Sequence, residues 1–107
     1  LFRARATGGA DVLVVPAAFT YVTGRDHGEG LLRARAIENQ AYVVAANQFG
    51  RHGEGLRSWG HSLIIDPWGE ILAEGSEDAE EVITATLQPN RLNSVREKLP
   101  CLRHRRI

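Results

Sequence analysis

The sequence has no methionine, one cysteine (Cys101) and one lysine (Lys98) among 107 residues. A lone cysteine excludes an internal disulfide and a zinc site built from several cysteines. No window approaches the roughly 18 consecutive apolar residues that a membrane-spanning helix needs, so no membrane partner is expected. The opening Leu1-Phe2-Arg3-Ala4-Arg5 lacks the apolar stretch of a secretion signal, and the cytoplasm is the expected location. The missing methionine leads to the expectation that the chain starts partway through a larger protein. Its length allows one domain and not two.

What is present is an ordinary globular composition, 43% hydrophobic and 24% charged. Thirteen basic and 13 acidic side chains cancel, yet they are not mixed evenly. Residues 70–90 carry acids and no base, whereas the end of the chain is basic. Such a pattern can pair within the chain or across a subunit contact. The run Arg103-His104-Arg105-Arg106 could grip phosphate, but no aromatic stacking residue interrupts it and the acidic stretch repels phosphate. A nucleic-acid partner is therefore not expected.

Along the chain, residues 1–7 read as the end of a helix closed by Gly8-Gly9. Val12 to Val15 is continuously apolar and ends at Pro16, as in a strand covered on both faces. Residues 20–30 read as a loop. Glu29 to Gln40 reads as a helix with its apolar stripe at Leu31, Ala34, Ile37 and Ala41, and with Glu29 and Arg33 spaced for an ion pair. Tyr42 to Ala46 is a second strand, and residues 47–60, with four glycines, read as a loop. Asp66-Pro67-Trp68-Gly69 suits a type I turn joining strands at residues 61–65 and 70–74. Val82 to Leu87 alternates as a half-buried strand does, and Pro89 begins a short helix. The order implies an α/β fold, a mixed sheet with helices on one face and an apolar face left wanting a partner.

Few residues invite chemistry. Cys101 lies near His104 and three arginines, but in a terminal tail without the rigid setting that a thiolate nucleophile needs. It reads as structural or incidental. His27, His52, His61 and His104 have no metal-ligand spacing, so no metal is expected. Gly24, Gly28 and Gly30 do not match a dinucleotide fingerprint, and Glu29 would set negative charge beside a bound phosphate. Glu29 itself supports two readings of equal standing, a functional carboxylate on a loop after a strand or a helix N-terminal acid favoured by the dipole.

The motifs accumulate into a resemblance. Pro16-Ala17-Ala18-Phe19 after a strand, then Thr23-Gly24 and His27-Gly28-Glu29, resemble the nitrilase (carbon–nitrogen hydrolase) superfamily. The helix Leu31 to Gln40, with Ala34-Arg35-Ala36-Ile37-Glu38-Asn39, is similar to the family's ARAIEN helix. Asn47-Gln48-Phe49-Gly50, Gly60-His61-Ser62 and Asp66-Pro67-Trp68-Gly69 follow in family order. Gly50-Arg51-His52, Ser58-Trp59-Gly60-His61-Ser62, Leu99-Pro100 and His104-Arg105-Arg106 most resemble its deaminated glutathione amidase branch.

The resemblance implies that residues 1–107 are the C-terminal part of a single α-β-β-α sandwich domain that pairs as a homodimer. It implies an amidase acting on small carboxylated amides, without a cofactor, through a Glu-Lys-Cys set. The cysteine forms a thioester as ammonia or an amine leaves, glutamate acts as base, and lysine stabilises the oxyanion. None of those three residues lies in this chain, and Lys98 and Cys101 stand where the family places neither. What the chain supplies by resemblance is pocket wall, with Pro16, Ala17, Ala18, Phe19 and Glu29 as substrate-binding residues. Gly28 replaces the family's tryptophan beside Glu29, removing an aromatic wall. The alternatives are another superfamily amidase (an ω-amidase or N-carbamoyl hydrolase) and a non-catalytic interaction module.

Overall fold

A computed structural model describes residues 1–106, so Ile107, the last residue of the expected domain, lies outside the described residues. The chain opens with helix α1 (Phe2–Thr7) and strand β1 (Val12–Ala17). Helical winding then runs from α2 (Tyr21–Thr23) through a π-turn (Gly24–Gly28) into α3 (Glu29–Asn39). Five strands follow: β2 (Tyr42–Asn47), β3 (Phe49–Arg51), β4 (Arg57–Trp59), β5 (Leu63–Ile65) and β6 (Ile71–Glu74). Helix α4 (Pro89–Lys98) and a 3₁₀ turn (Cys101–Arg103) complete it.

Four strands form a mixed sheet in the order β1-β2-β5-β6, with β1 parallel to β2 and the other pairs antiparallel. Alternation of side chains sends Leu13, Val43, Ala45, Leu63 and Ile65 to one face, where they pack with Leu32 and Ala36 of α3. Phe2 of α1 packs against that core, with Arg35 of α3 5.9 Å from its ring centre. The segment before α4 is tied to the sheet by the Tyr42 hydroxyl. It donates to the Gln88 carbonyl at 3.1 Å and accepts from the Gln88 amide at 3.0 Å.

The turn at Asp66–Gly69 forms as its residues dictate. Gly69 N–H closes it onto the Asp66 carbonyl at 3.0 Å, and Asp66 Oδ1 accepts from the amides of Trp68 and Glu70. Gly69 has φ +89°, and a Cβ there would lie 2.7 Å from Ile37 Cδ1, so only glycine serves. The Glu29–Arg33 ion pair also forms, at 3.4 Å.

Several expectations need correction. Pro16 does not end β1, which runs on to Ala17 and stays paired with β2 through Ala17 opposite Asn47. In this chain by itself the second face of β1 is bare, with Val14 69% exposed. The supposed loop at 20–30 is helical. The core-facing positions of α3 are Leu32, Ala36 and Asn39, while Leu31 and Ile37 are half-exposed. The stripe is hidden in the sequence because one of its members is an asparagine, whose Nδ2 donates back to the Arg35 carbonyl at 2.8 Å. The loop at 47–60 contains the β3–β4 hairpin. Val82 to Leu87 alternates in burial but forms no ladder among the described residues.

Candidate functional site

The parallel strands β1 and β2 end side by side, Ala17 opposite Asn47, and their continuations are sewn together there. Gln48 N–H donates to the Ala17 carbonyl, Trp59 N–H to the Phe19 carbonyl and Gly60 N–H to the Gln48 carbonyl, each at 2.9 Å. Thr20 and Ser58 form a bridge beside them. Asn47 lies under this junction, its amide donating to Ser62 Oγ at 3.0 Å and its Nδ2 to the His61 carbonyl at 3.1 Å. Its Oδ1 is buried without a protein partner. The carboxyl end of parallel strands is where open α/β sheets place binding residues.

Two openings lie near this junction. A polar cleft of about 530 Å³ is lined by Asn47, Gln48, His52, Ser62, Glu80 and Glu81 among others. His52 Nε2 there shares a 2.9 Å hydrogen bond with Ser58 Oγ. A groove of about 790 Å³ runs along the free edge of β1 past Val12, Val14 and Pro16. Of the four wall residues only Pro16 lines a cavity of this size, and Glu29 lines neither. Ala17, Ala18 and Phe19 lie at the strand-end junction. The Glu29 carboxylate faces Arg33, whose Nε donates to the Gly69 carbonyl at 2.8 Å, so this acid is linked through Arg33 to the β5–β6 turn.

Around the junction stands a charged and aromatic cluster that sequence reasoning did not assemble. The Trp59 and His61 rings stack with centroids 4.4 Å apart. His61 Nδ1 lies 2.8 Å from Glu74 Oε1 and its Nε2 3.7 Å from Glu77 Oε2. Arg57 sits 3.8 Å over the Tyr21 ring and 3.6 Å from Glu77, and Tyr21 donates its hydroxyl to Glu77 at 3.3 Å. His61 has φ +53°, unusual for a residue other than glycine. The Gly60-His61-Ser62 motif marked the place, but nothing local in it signals the partners.

The position left bare at Gly28 is not empty. A Cβ on Gly28 would lie 2.8 Å from Trp59 Cζ3, so the indole of β4 occupies that space. Elsewhere, the Ser76 amide donates to Glu81 Oε1 and holds its carboxyl below the usual range. The charge runs pair with other parts of the chain: Arg91 with Asp66 at 3.0 Å, Arg96 with Asp11 at 2.8 Å. Among the described residues no group of His, Cys, Asp and Glu is placed to hold a metal ion. No helix there is long and apolar enough to cross a membrane.

A sheet with parallel strands ending on one junction, covered by a helix carrying Glu29, places the chain among the α/β folds. The carbon–nitrogen hydrolase family profile matches residues 1–97, and the chain belongs to that family. Among its relatives, the deaminated glutathione amidase of Synechocystis is 52% identical over 98% of this chain and 38% of its own. The deaminated glutathione amidase of Homo sapiens is 50% identical over 99% of this chain and 32% of its own. The solved structure of Saccharomyces cerevisiae Nit3, of branch 10 of the nitrilase superfamily, superposes with a TM-score of 0.90 at 37% identity. That match covers 99% of this chain and 39% of the other. The fold is thus nitrilase-like, and the chain spans about a third to two fifths of the length of these relatives.

Proposed function

We propose that the complete protein is an amidase that hydrolyses a deaminated-glutathione-type amide through a cysteine thioester, and that residues 1–107 form the C-terminal part of its single domain. The observation that carries this reading is the 52% identity to a deaminated glutathione amidase over nearly the whole chain. In this reading Pro16, Ala17, Ala18 and Phe19 line the acyl pocket, a role supported by their position where β1 runs out beside β2. Glu29 serves the same site from the start of α3, holding Arg33 and through it the turn at Gly69. The nucleophile, base and oxyanion-stabilising lysine that the family resemblance implies are not among these residues. The resemblance further supports a cytoplasmic homodimer.

The chemistry asks for hydrolysis of an amide whose acyl side bears a carboxylate, with a primary amine leaving and the thioester then released by water. The test is a substrate panel on the complete protein: deaminated glutathione, a simple ω-amide and an N-carbamoyl amino acid. A kcat/KM highest for deaminated glutathione, read as release of a primary amine, supports the assignment. Preference for either of the other two moves the protein to another branch of the superfamily. No turnover of any of the three removes the amidase reading.

A further inference from the structure

Two glycines of the helical segment, Gly24 and Gly28, have φ −63° and −57°, ordinary values that any residue adopts. Their backbone does not require glycine; their surroundings do. A Cβ on Gly24 would lie 2.5 Å from Trp59 Cβ and 2.8 Å from its Cγ, and one on Gly28 would lie 2.8 Å and 3.0 Å from Cζ3 and Cε3. The indole therefore lies along the π-turn, with one glycine under its root and one under its far edge. The same ring stacks on His61 at 4.4 Å, and Glu74 holds that imidazole through Nδ1 at 2.8 Å. Trp59 is 6% exposed, whereas the other tryptophan, Trp68, is 56% exposed.

This placement reaches the pocket wall. Trp59 N–H donates to the Phe19 carbonyl at 2.9 Å, and Phe19 Cβ would lie 3.0 Å from a Cβ on Gly24. Phe19 is thus fixed between the glycine surface and the strand that carries Trp59. We propose that Gly24, Gly28 and Trp59 form a seat that positions the Pro16–Phe19 wall, with Trp59 a positioning residue and Gly28 the position that sets how the acyl group of the substrate fits. The proposal rests on the amidase reading above. It turns the missing side chain at position 28 into one half of a complementary pair, because a larger residue there displaces the indole and with it the wall.

The experiment is a double-mutant cycle in the complete protein with Gly28→Ala, Trp59→Leu and the double variant, and with Trp59→Phe as the conservative change. Displacing a wall by a fraction of an ångström weakens substrate fit more than the chemical step. Gly28→Ala is expected to raise KM for deaminated glutathione about tenfold, with kcat changed by less than about twofold. The double variant recovers much of that loss, because the smaller leucine leaves room for the new methyl group. Trp59→Phe, which keeps the root of the ring over Gly24 but not its far edge over Gly28, raises KM less than Trp59→Leu does, and Trp68→Ala changes neither constant. Near-UV circular dichroism reads the same cycle without substrate: Gly28→Ala alters the indole band and Trp68→Ala alone does not remove it. An unchanged KM in Gly28→Ala, or a double variant no better than the sum of the singles, overturns the proposal. A complete protein that hydrolyses no amide but keeps the spectral coupling overturns the amidase reading and leaves the seat standing. Loss of both coupling and activity overturns the seat.

Discussion

At the scale of single residues, the structure rests on a few polar groups with several partners each. Asp66 is the clearest: its side chain is 3% exposed, Oδ1 accepts from two amides and Oδ2 pairs with Arg91 at 3.0 Å. Removing it leaves three part-buried donors without their acceptor, the more costly direction of loss. Asp66→Ala is expected to destabilise the fold by about 1–3 kcal/mol in urea unfolding, with Asp66→Asn costing less because it keeps one acceptor. Glu81 gives a pH signature. The bond from the Ser76 amide holds its carboxyl below the usual range when folded. A depressed folded value means stability that is present above the ordinary carboxyl range and lost as pH falls through the folded value. Glu81→Gln should therefore lower the thermal midpoint at neutral pH and leave it near the parent's at the most acid pH, flattening the acid limb of the profile.

The element scale shows what the sequence could and could not tell. The hairpin at Asp66–Gly69 was legible because its turn chemistry is local, with an acceptor at the first position and glycine where φ is positive. The Glu29–Arg33 pair was legible for the same reason. The inward face of α3 was not, because buried Asn39 breaks the apolar pattern and half-exposed Leu31 and Ile37 imitate it. Leu32→Ala should cost about 2–5 kcal/mol by thermal unfolding, and Leu31→Ala about 0.5 kcal/mol or less. The opposite result would return the stripe to its sequence-expected register. Strands β3 and β4 escaped notice because Arg51 and Arg57 occupy a pairing position and glycines fill the connection. The glycines at 24 and 28 suggested a loop, yet they serve a contact with Trp59, which lies far along the chain. No local pattern encodes such a contact. For the candidate site, the wall residues and Glu29 came from motif resemblance, whereas the proposed seat beneath them joins residues 24, 28 and 59, which no motif links.

At the scale of the whole molecule, α3 covers one face of the sheet, and among the described residues β1 is its outer strand. In the 107-residue chain by itself Val12 and Val14 are exposed there, along a groove of about 790 Å³. Exposed apolar edges associate. The 107-residue chain by itself is expected to elute from size-exclusion chromatography as a dimer or larger species, and a monodisperse monomer with a cooperative melt would contradict this reading of the open face.

At the same scale stands the proposed function, in which these residues shape the pocket of a thioester-forming amidase whose nucleophile is not among them. Cys101 sits in the 3₁₀ turn after α4, away from the strand-end junction in the order of the chain. The most direct measurement is mass spectrometry of the complete protein quenched during turnover of deaminated glutathione. The account predicts an acyl adduct on a cysteine other than Cys101, persisting in Cys101→Ala with turnover retained. An adduct on Cys101, or turnover abolished by Cys101→Ala, would contradict it.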